Sequence, residues 1–413
     1  MKRKEMKKIW VVLTVVLLGL AVLSGCISEK STTTTPTATE AKKEPIKIGF
    51  SHPFTGPASE LGATVKRGID LAIEEINESG GVLGRPLKLY LADDKCDPTE
   101  APKAIQKLIS VDKVDFILGP QCSSAVLAVL PIVNEEKVPM IVFAATSPKI
   151  TEQIGAGGYE WIFRINPMDA AMGPPFADFA VKQLGVKSVS ILALNNDWGR
   201  GNVEVWQELS KELGFEIKSV DYFQYGDTEF TPILTKIKNL NADAIFLIAD
   251  YQEGYNVMKQ YHELGMHQII LGRGAVAMKH FIEIAGEDLA DGIYGINFYS
   301  IKIDTPEHKE FVEKFKERSG YLPEIGGAWG YTAVYVLKEA IEKAGTTDRE
   351  AVRKALETIS LDNFLGHIEF DDHHQSWSDV WITQLKDGDE VLIAKMPTLP
   401  YREIFYKSLK EKK

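Results

Sequence analysis

The sequence predicts an α/β protein in which parallel β-sheets form two lobes. Three observations support this prediction. Short apolar, β-rich segments alternate with helix-spaced apolar patterns, which indicates βαβ crossovers and parallel sheets. The alternation starts again after "INPMD" (165–169). The region from Ile46 onwards, roughly 365 residues, is also longer than one hydrophobic core usually organises.

In the first half of this region, "IKIGFS" (46–51) is a predicted strand that ends in a Gly/Pro-containing loop. Apolar residues then recur every three or four positions from Leu61 to Ile76, which predicts a helix that ends at "SGG" (79–81). Strands are predicted in "PLKLYLADD", "VDFILG" and "VPMIVFAA", with helices in "PTEAPKAIQKLIS" and "SSAVLAVLPIVNEE" between them.

The second half repeats this order. Strands are predicted in "KSVSILAL", "FEIKSVDYF", "DAIFLIAD" and "QIILG", with helices over 203–213, 231–239 and 253–264. From about Tyr299 the pattern is mainly helical, over 306–319, 325–344 and 348–359. A strand in "HIEFDD" and a hairpin around Asp387-Gly388 follow. Two α/β halves followed by a mixed section suggest a chain that crosses between lobes more than once.

The N-terminus has the order of a secretory signal: a basic start, a short apolar run and small residues at its end. Leu23-Ser24-Gly25-Cys26 resembles a lipobox, in which the cysteine is lipidated and becomes the mature N-terminus. We therefore expect a signal peptide over 1–25 and a threonine-rich tether over 26–44. An uncleaved anchor helix is the alternative, and both place the rest of the chain outside the cytoplasm.

Charge and cysteine content restrict the partners of the mature chain. Loss of residues 1–25 removes five basic residues and one acidic residue, which changes the formal net charge from −11 to −15. This negative charge argues against nucleic acid as a partner and against binding to anionic lipid through a basic patch. With Cys26 assigned to the lipid, Cys96 and Cys122 remain, and in an oxidising compartment a single disulfide is expected.

Small residues, several of them with a hydroxyl group, follow two predicted strands. Ser123 and Ser124 begin a helix, and Ala144 and Thr146 follow the next strand. Ligands of open parallel sheets bind at the carboxyl ends of the strands, and the free N–H groups of a helix start suit a carboxylate. These residues predict a small polar cup that fits a zwitterion. The alternative is that one serine is only a helix cap.

Several motifs resemble the leucine/isoleucine/valine-binding type of periplasmic solute-binding proteins, which serve ABC importers. They are "KIGFSHPFTGP", "DLAIEEINESGGVLGRPLKLYLADDKCDP", "GPQCSSA" and "AATSP", with "NNDWGRG", "DAIFLIADYQEG", "LGRGA" and "WGYTAVYVLKEAIEKAG" further on. The resemblance implies a periplasmic binding protein type 1 fold, which has two doubly wound parallel-sheet lobes joined by a three-crossover hinge. Lobe 1 would comprise 45–166 and 299–362, and lobe 2 would comprise 167–298 and 363–413.

The resemblance also implies an interlobe ligand cleft, a disulfide between Cys96 and Cys122, permease subunits as partners and no cofactor. Ser123 and Thr146 would hold the ligand carboxylate, while Ala144 and Thr146 would hold its ammonium group. The remaining ligand-binding residues carried over are Leu61, Ser124, Trp198, Asp250 and Tyr251.

The sequence departs from the family pattern near "LGRGA". Branched-chain binders place a glutamate there to pair the ammonium group, whereas this chain has Gly274 beside Arg273. Either Asp250 replaces the glutamate or the ligand lacks an ammonium group. Arg273 would receive a second carboxylate or remain solvated.

We expect a binding protein that delivers an amino acid, branched-chain or similar, to an ABC permease. The alternatives are a ligand-sensing receptor domain and a binder of short amides, urea or carboxylates. No GxGxxG or Walker loop follows any predicted strand, which argues against nucleotide chemistry. "DDHHQSW" (371–377) resembles a metal cluster but is predicted to be a polar surface turn. Asp93 and Asp94 could be a carboxylate pair but are predicted to be turn residues of the disulfide loop. An aromatic cage for a quaternary ammonium ion would draw on Trp161, Trp198, Tyr251, Trp329 and Tyr331.

Overall fold

The computed structural model of the chain describes residues 43–412. The predictions of a signal peptide, of lipidation at Cys26 and of most of the tether therefore lie outside the described residues. Among residues 43–412, no helix has the length and apolar character needed to cross a bilayer.

Strands and helices alternate along the described chain as the sequence pattern predicts. The strands are β1 (Ile46–His52), β2 (Leu87–Asp93), β3 (Phe116–Leu118), β4 (Met140–Val142), β5 (Ile162–Arg164), β6 (Ser188–Leu194), β7 (Glu216–Phe223), β8 (Ala244–Ile248), β9 (Ile269–Arg273), β10 (Tyr294–Asn297), β11 (Ser360–Asn363), β12 (Gly366–Glu369), β13 (Val380–Lys386) and β14 (Asp389–Met396).

The helices lie mostly between strands. They are α1 (Ser59–Glu78), α2 (Ala101–Gln106), α3 (Ser123–Glu135), α4 (Pro148–Thr151), α5 (Asp169–Lys182), α6 (Asp197–Leu213), α7 (Thr231–Leu240), α8 (Tyr251–Glu263), α9 (Lys279–Ala285), α10 (Glu287–Ala290), α11 (Pro306–Ser319), α12 (Ile325–Ala344), α13 (Arg349–Glu357) and α14 (Arg402–Lys412).

Two large sheets organise these elements. The first has the strand order β2-β1-β3-β4-β5, and every neighbouring pair is parallel. The second has the order β14-β13-β10-β9-β8-β6-β7 and is parallel except at β10–β13 and β13–β14. Strands β11 and β12 form a separate antiparallel pair. The predicted fold class is confirmed.

Helix α12 packs against α1 on the first sheet, although the two are far apart in sequence. Their backbones approach closely because glycines face each other. A Cβ atom on Gly68 would lie 1.9 Å from the Gly327 carbonyl oxygen. The apolar faces of both helices join the core that also contains residues of the first sheet, with Val65, Ile69 and Trp329 fully buried. This packing explains why a late segment belongs to the first sheet.

The chain passes between the two sheets three times. It leaves the first sheet after β5, returns after β10 to form α11–α13, and enters the second sheet again at β13. The third passage contains "DDHHQSW", and the prediction of a surface turn there is wrong. His374, Gln375 and Ser376 are buried, and the His374 ring stacks on Phe163 at 4.0 Å.

Candidate functional site

A cavity lies where the carboxyl ends of the two sheets face each other. It encloses about 680 Å³ of empty space, a figure that includes the solvent at its open side. Its walls come from loops that follow β1, β3, β4, β6, β7, β8, β9 and β10, together with the start of α12. The wall includes seven of the nine predicted ligand-binding residues: Leu61, Ser123, Ala144, Thr146, Trp198, Asp250 and Arg273.

Helix α3 directs its N-terminus at this cavity. The first residue, Ser123, lines the wall, and no side chain caps the first turn. Ser123 Oγ accepts a hydrogen bond from the Ser147 N–H group at 3.2 Å, so its own hydroxyl proton remains available. The free N–H groups and the helix dipole make this end of the cavity favourable for a carboxylate.

A buried ion pair lies beside Thr146. Arg273 donates to Asp169 Oδ1 from Nη2 at 2.8 Å and from Nε at 3.1 Å, and both side chains are at most 4% exposed. The idea that Arg273 is solvated is therefore wrong. Thr146 accepts from Arg273 and donates its only hydroxyl proton to Asp169 at 2.9 Å. Its hydroxyl can accept from an ammonium group but has no proton for a carboxylate.

Asp250 is the acidic group of the cavity that lacks a cationic partner. It is 9% exposed, and its Oδ2 accepts a hydrogen bond from the Tyr225 hydroxyl at 2.6 Å. Among residues 43–412 it forms no salt bridge. Burial raises the pKa of Asp250 to about 6, opposed by the Tyr225 hydrogen bond. A ligand cation would therefore find a preformed, partly desolvated carboxylate here.

The Trp198 indole takes the space beside Gly274. A Cβ atom on Gly274 would lie 2.5 Å from Trp198 Cη2, and Gly274 has a φ of +88°, which disfavours other residues. No glutamate side chain can occupy this position while Trp198 stays in place. The Arg273 guanidinium lies 5.8 Å from the Trp198 ring, on the side of the ion pair. This arrangement gives a physical reason for the departure at "LGRGA".

Two predicted ligand contacts do not line the cavity. Ser124 Oγ accepts a hydrogen bond from the Asp197 N–H group at 3.2 Å and so ties α3 to the start of α6. The Tyr251 hydroxyl donates to Glu324 Oε2 at 2.5 Å. Both hydrogen bonds join an element on one sheet to an element on the other. They support contact between the two sides of the cavity rather than contact with a ligand.

Cys96 and Cys122 form a disulfide with a Cα–Cα distance of 5.4 Å. Cys122 immediately precedes α3 and lines the cavity, so the bridge fixes the loop that presents Ser123. The Tyr225 hydroxyl lies 3.8 Å from Cys96 Sγ. The bridge therefore supports the loops on both sides of the cavity.

Removal of this disulfide is expected to lower the free energy of unfolding by about 3–4 kcal/mol, because the bridge closes a loop with a sequence separation of 26 residues. Denaturant unfolding of the Cys96→Ser/Cys122→Ser variant measures the loss. Reductant should destabilise the wild type to a similar extent and leave the variant unchanged. Equal stability of the two proteins without reductant would contradict this prediction.

Arg164 lies behind the cavity and holds the loop that follows β4. Its guanidinium is fully buried and donates to the carbonyl oxygens of Ser147, at 2.8 Å, and Ala145, at 3.3 Å. It also donates to Thr151 and, at 2.5 Å, to Gln375 of the third passage. Burial lowers the pKa of Arg164 to about 9. One side chain thus joins the cavity loop to a segment between the sheets.

Sequence reasoning missed several residues of the site. Tyr225 is the second residue after β7, and its place near a strand end was the available signal. Asp169 starts α5 but interacts with a residue 104 positions away, and no local pattern reveals such a pair. Other cavity residues that were not predicted include Gln121, Phe143, Asn196, Met278, Phe298 and Ile325.

The arrangement is a two-sided cavity in which a helix N-terminus suited to a carboxylate is combined with Asp250, an acidic group without a cationic partner among residues 43–412. A family model described as periplasmic binding protein matches residues 45–390 of the chain. The chain belongs to the periplasmic binding protein family. Members of this family are solute-binding proteins, and membership implies an extracytoplasmic location.

Relatives and solved structures cover most of this periplasmic binding protein. It is 29% identical, over 79% of its length and 86% of the relative, to a leucine-, isoleucine-, valine-, threonine- and alanine-binding protein of Pseudomonas aeruginosa. It is 32% identical to a leucine-binding protein of Thermotoga maritima, with a TM-score of 0.78 over 85% of this chain and 99% of that one. It is 27% identical to a solute-binding protein of Rhodopseudomonas palustris in complex with 3,4-dihydroxybenzoic acid, with a TM-score of 0.77 over 86% and 98%.

Proposed function

We propose that this protein captures a free α-amino acid in the cavity and delivers it to an ABC permease. The observation that carries the proposal is the pairing of an uncapped helix N-terminus with the unpaired carboxylate of Asp250 in one cavity. Because the Arg273–Asp169 pair is internally neutral, the cavity has one acidic group to balance and a separate site for a carboxylate. A zwitterion meets both requirements.

The lobes of this proposal follow the two sheets. Residues 45–166 and 299–362 would form lobe 1, and 167–298 and 363–413 would form lobe 2. The position of α12 on α1 supports the assignment of the late helices to lobe 1. The β11–β12 pair spans the proposed boundary at 362/363, which favours a boundary after Glu369 instead. Ligand binding would close the lobes and present a joint surface to the permease.

The amino-terminal segment completes the proposal. Processing before Cys26 and lipidation of its thiol would leave the protein anchored to the cell membrane by its lipid. Mass spectrometry of the membrane-associated protein should detect acyl chains on an N-terminal Cys26, and an intact N-terminus beginning at Met1 would contradict this part of the proposal.

A thermal-shift screen tests the ligand class. The twenty amino acids are compared with short amides, urea and carboxylates, each at a saturating concentration. A ligand present at about 100 times its dissociation constant should stabilise the fold by roughly 2.7 kcal/mol. We expect an amino acid to give the largest shift. Stabilisation by amides or plain carboxylates alone would reject the amino-acid proposal.

The affinity for an amino acid should decrease at low pH. Asp250 has a raised pKa of about 6, so it is charged above that pH and becomes protonated as the pH falls through it. Since an ammonium group requires the charged form, the association constant should fall about tenfold per pH unit below about pH 6. Titration calorimetry between about pH 5 and 8 measures this. An affinity that stays constant down to about pH 5 would exclude Asp250 as the ammonium partner.

An aromatic carboxylate is the second candidate ligand. Gly274 offers no acidic side chain for an ammonium group, and Phe143, Trp198 and Phe298 contribute aromatic rings to the wall, which favours such a ligand. One relative binds 3,4-dihydroxybenzoic acid. Such a ligand would be repelled by a charged Asp250. Its affinity should therefore rise, not fall, as the pH decreases through about 6.

A further inference from the structure

One end of the cavity carries polar groups without hydrogen-bond partners. Gln121 lines the wall, and its Oε1 is shielded from solvent and has no partner among residues 43–412. His52 is fully buried, and its two ring nitrogens also have no hydrogen-bond partner among residues 43–412. Such groups are uncommon in native proteins and require an explanation.

His52 lies directly behind Gln121 and Leu61. Its ring packs against Phe50, at a centroid distance of 4.6 Å, and Phe143, at 6.5 Å. Burial lowers the pKa of His52 to about 3, opposed by the nearby Leu61 backbone, Gln121 side chain and Ser51 backbone, so the ring is neutral. Gln121 and Leu61 thus line the cavity in front of the buried His52, and we call these three residues the polar end.

A purely aliphatic ligand side chain would be a poor occupant here. It would exclude water from the Gln121 amide nitrogen, which forms no hydrogen bond with residues 43–412, and offer no acceptor in return. Leaving such a polar group unpaired costs about 1–3 kcal/mol. A hydroxyl or amide group both donates and accepts, and so matches an amide side chain in front of a neutral imidazole.

We infer that the protein selects ligands whose side chain carries a hydroxyl or amide group, and that Gln121 recognises that group. This inference rests on the proposed function for the amino-acid ligands. Sites that hydrogen-bond a polar ligand group discriminate strongly against the analogue that lacks it, whereas apolar pockets discriminate weakly between isosteres. The polar end would therefore determine which amino acid is preferred.

Two isosteric pairs of amino acids test the inference by titration calorimetry. Threonine should bind at least about 10-fold more tightly than valine, and asparagine at least about 10-fold more tightly than leucine. In Gln121→Leu both preferences should disappear or reverse. This variant should fold, because an apolar residue of similar shape replaces an unpaired amide, and its melting temperature provides the check.

Asn134→Leu is the matched control. Asn134 lies on α3, also has a buried amide oxygen without a partner, and is not part of the cavity wall. Its replacement should leave the threonine/valine ratio unchanged. Equal binding of threonine and valine to the wild type, or an unchanged ratio in Gln121→Leu, would overturn the inference.

The pair benzoate and 4-hydroxybenzoate separates this inference from the proposed function. If no amino acid binds, the proposed function fails. In that case, a preference for 4-hydroxybenzoate that disappears in Gln121→Leu would still support the role of Gln121. Equal binding of the two benzoates would then overturn that role as well.

Discussion

Replacement of Asp250 by asparagine is expected to weaken amino-acid binding by about 100-fold or more. The change keeps the shape of the side chain but removes the negative charge, which leaves the ligand ammonium group buried without a counter-charge. Breaking a buried charge pair by removing one partner typically costs about 3–5 kcal/mol, and each 1.4 kcal/mol corresponds to about tenfold in affinity. Titration calorimetry on the purified protein measures the loss.

Tyr225→Phe is the matched control for this prediction. It removes the hydroxyl that donates to Asp250 Oδ2 but leaves the carboxylate in place, so the loss of affinity should be about tenfold or less. A different outcome of the Asp250→Asn experiment would reject the proposed function. If Asp250→Asn improves binding of an aromatic carboxylate and no amino acid binds either protein, the ligand carries no ammonium group and the proposed function is wrong.

Replacement of Asp169 by alanine should lower the free energy of unfolding by about 3–5 kcal/mol, because it leaves the Arg273 guanidinium buried without its partner. Denaturant unfolding of the ligand-free protein measures this. The Asp169→Leu/Arg273→Met variant should recover most of the loss, since an apolar pair of similar size can replace a buried ion pair.

The exposed pair Lys66–Asp70 provides a comparison for the loss of stability expected in Asp169→Ala. Both side chains are more than a third exposed, so Asp70→Ala should cost less than about 1 kcal/mol. If Asp169→Ala is no more destabilising than Asp70→Ala, Arg273 has found another partner or reached solvent, and the description of a closed, neutral pair would be incorrect.

Much of the fold followed from local patterns in the sequence. Helix α12 was predicted over 325–344 and is Ile325–Ala344, and the hairpin turn at Asp387-Gly388 joins β13 and β14. These features depend on apolar periodicity and turn residues, which are visible in a short window. Helix α14 was not predicted, because its apolar residues are few and partly exposed.

The site was predictable to the extent that it follows strand ends. Ser123 and Thr146 were found because small polar residues follow buried strands, and the structure places both in the cavity wall. The state of Arg273 was not predictable, since nothing near it in sequence indicates that Asp169 would neutralise it. For the same reason, "DDHHQSW" looked solvated although Gln375 meets Arg164 over a separation of 211 residues.

The Arg164 network restricts how the ligand site can be exchanged between relatives. The carbonyl groups of Ala145 and Ser147 are positioned by a side chain that also depends on Gln375. Transplanting residues 143–147 alone into another scaffold would separate them from the donor that fixes their geometry. A transferable recognition unit must therefore include Arg164 and Gln375 together with residues 143–147. A new specificity designed without Arg164 and Gln375 would begin with a loop whose carbonyl groups lack the donor that positions them.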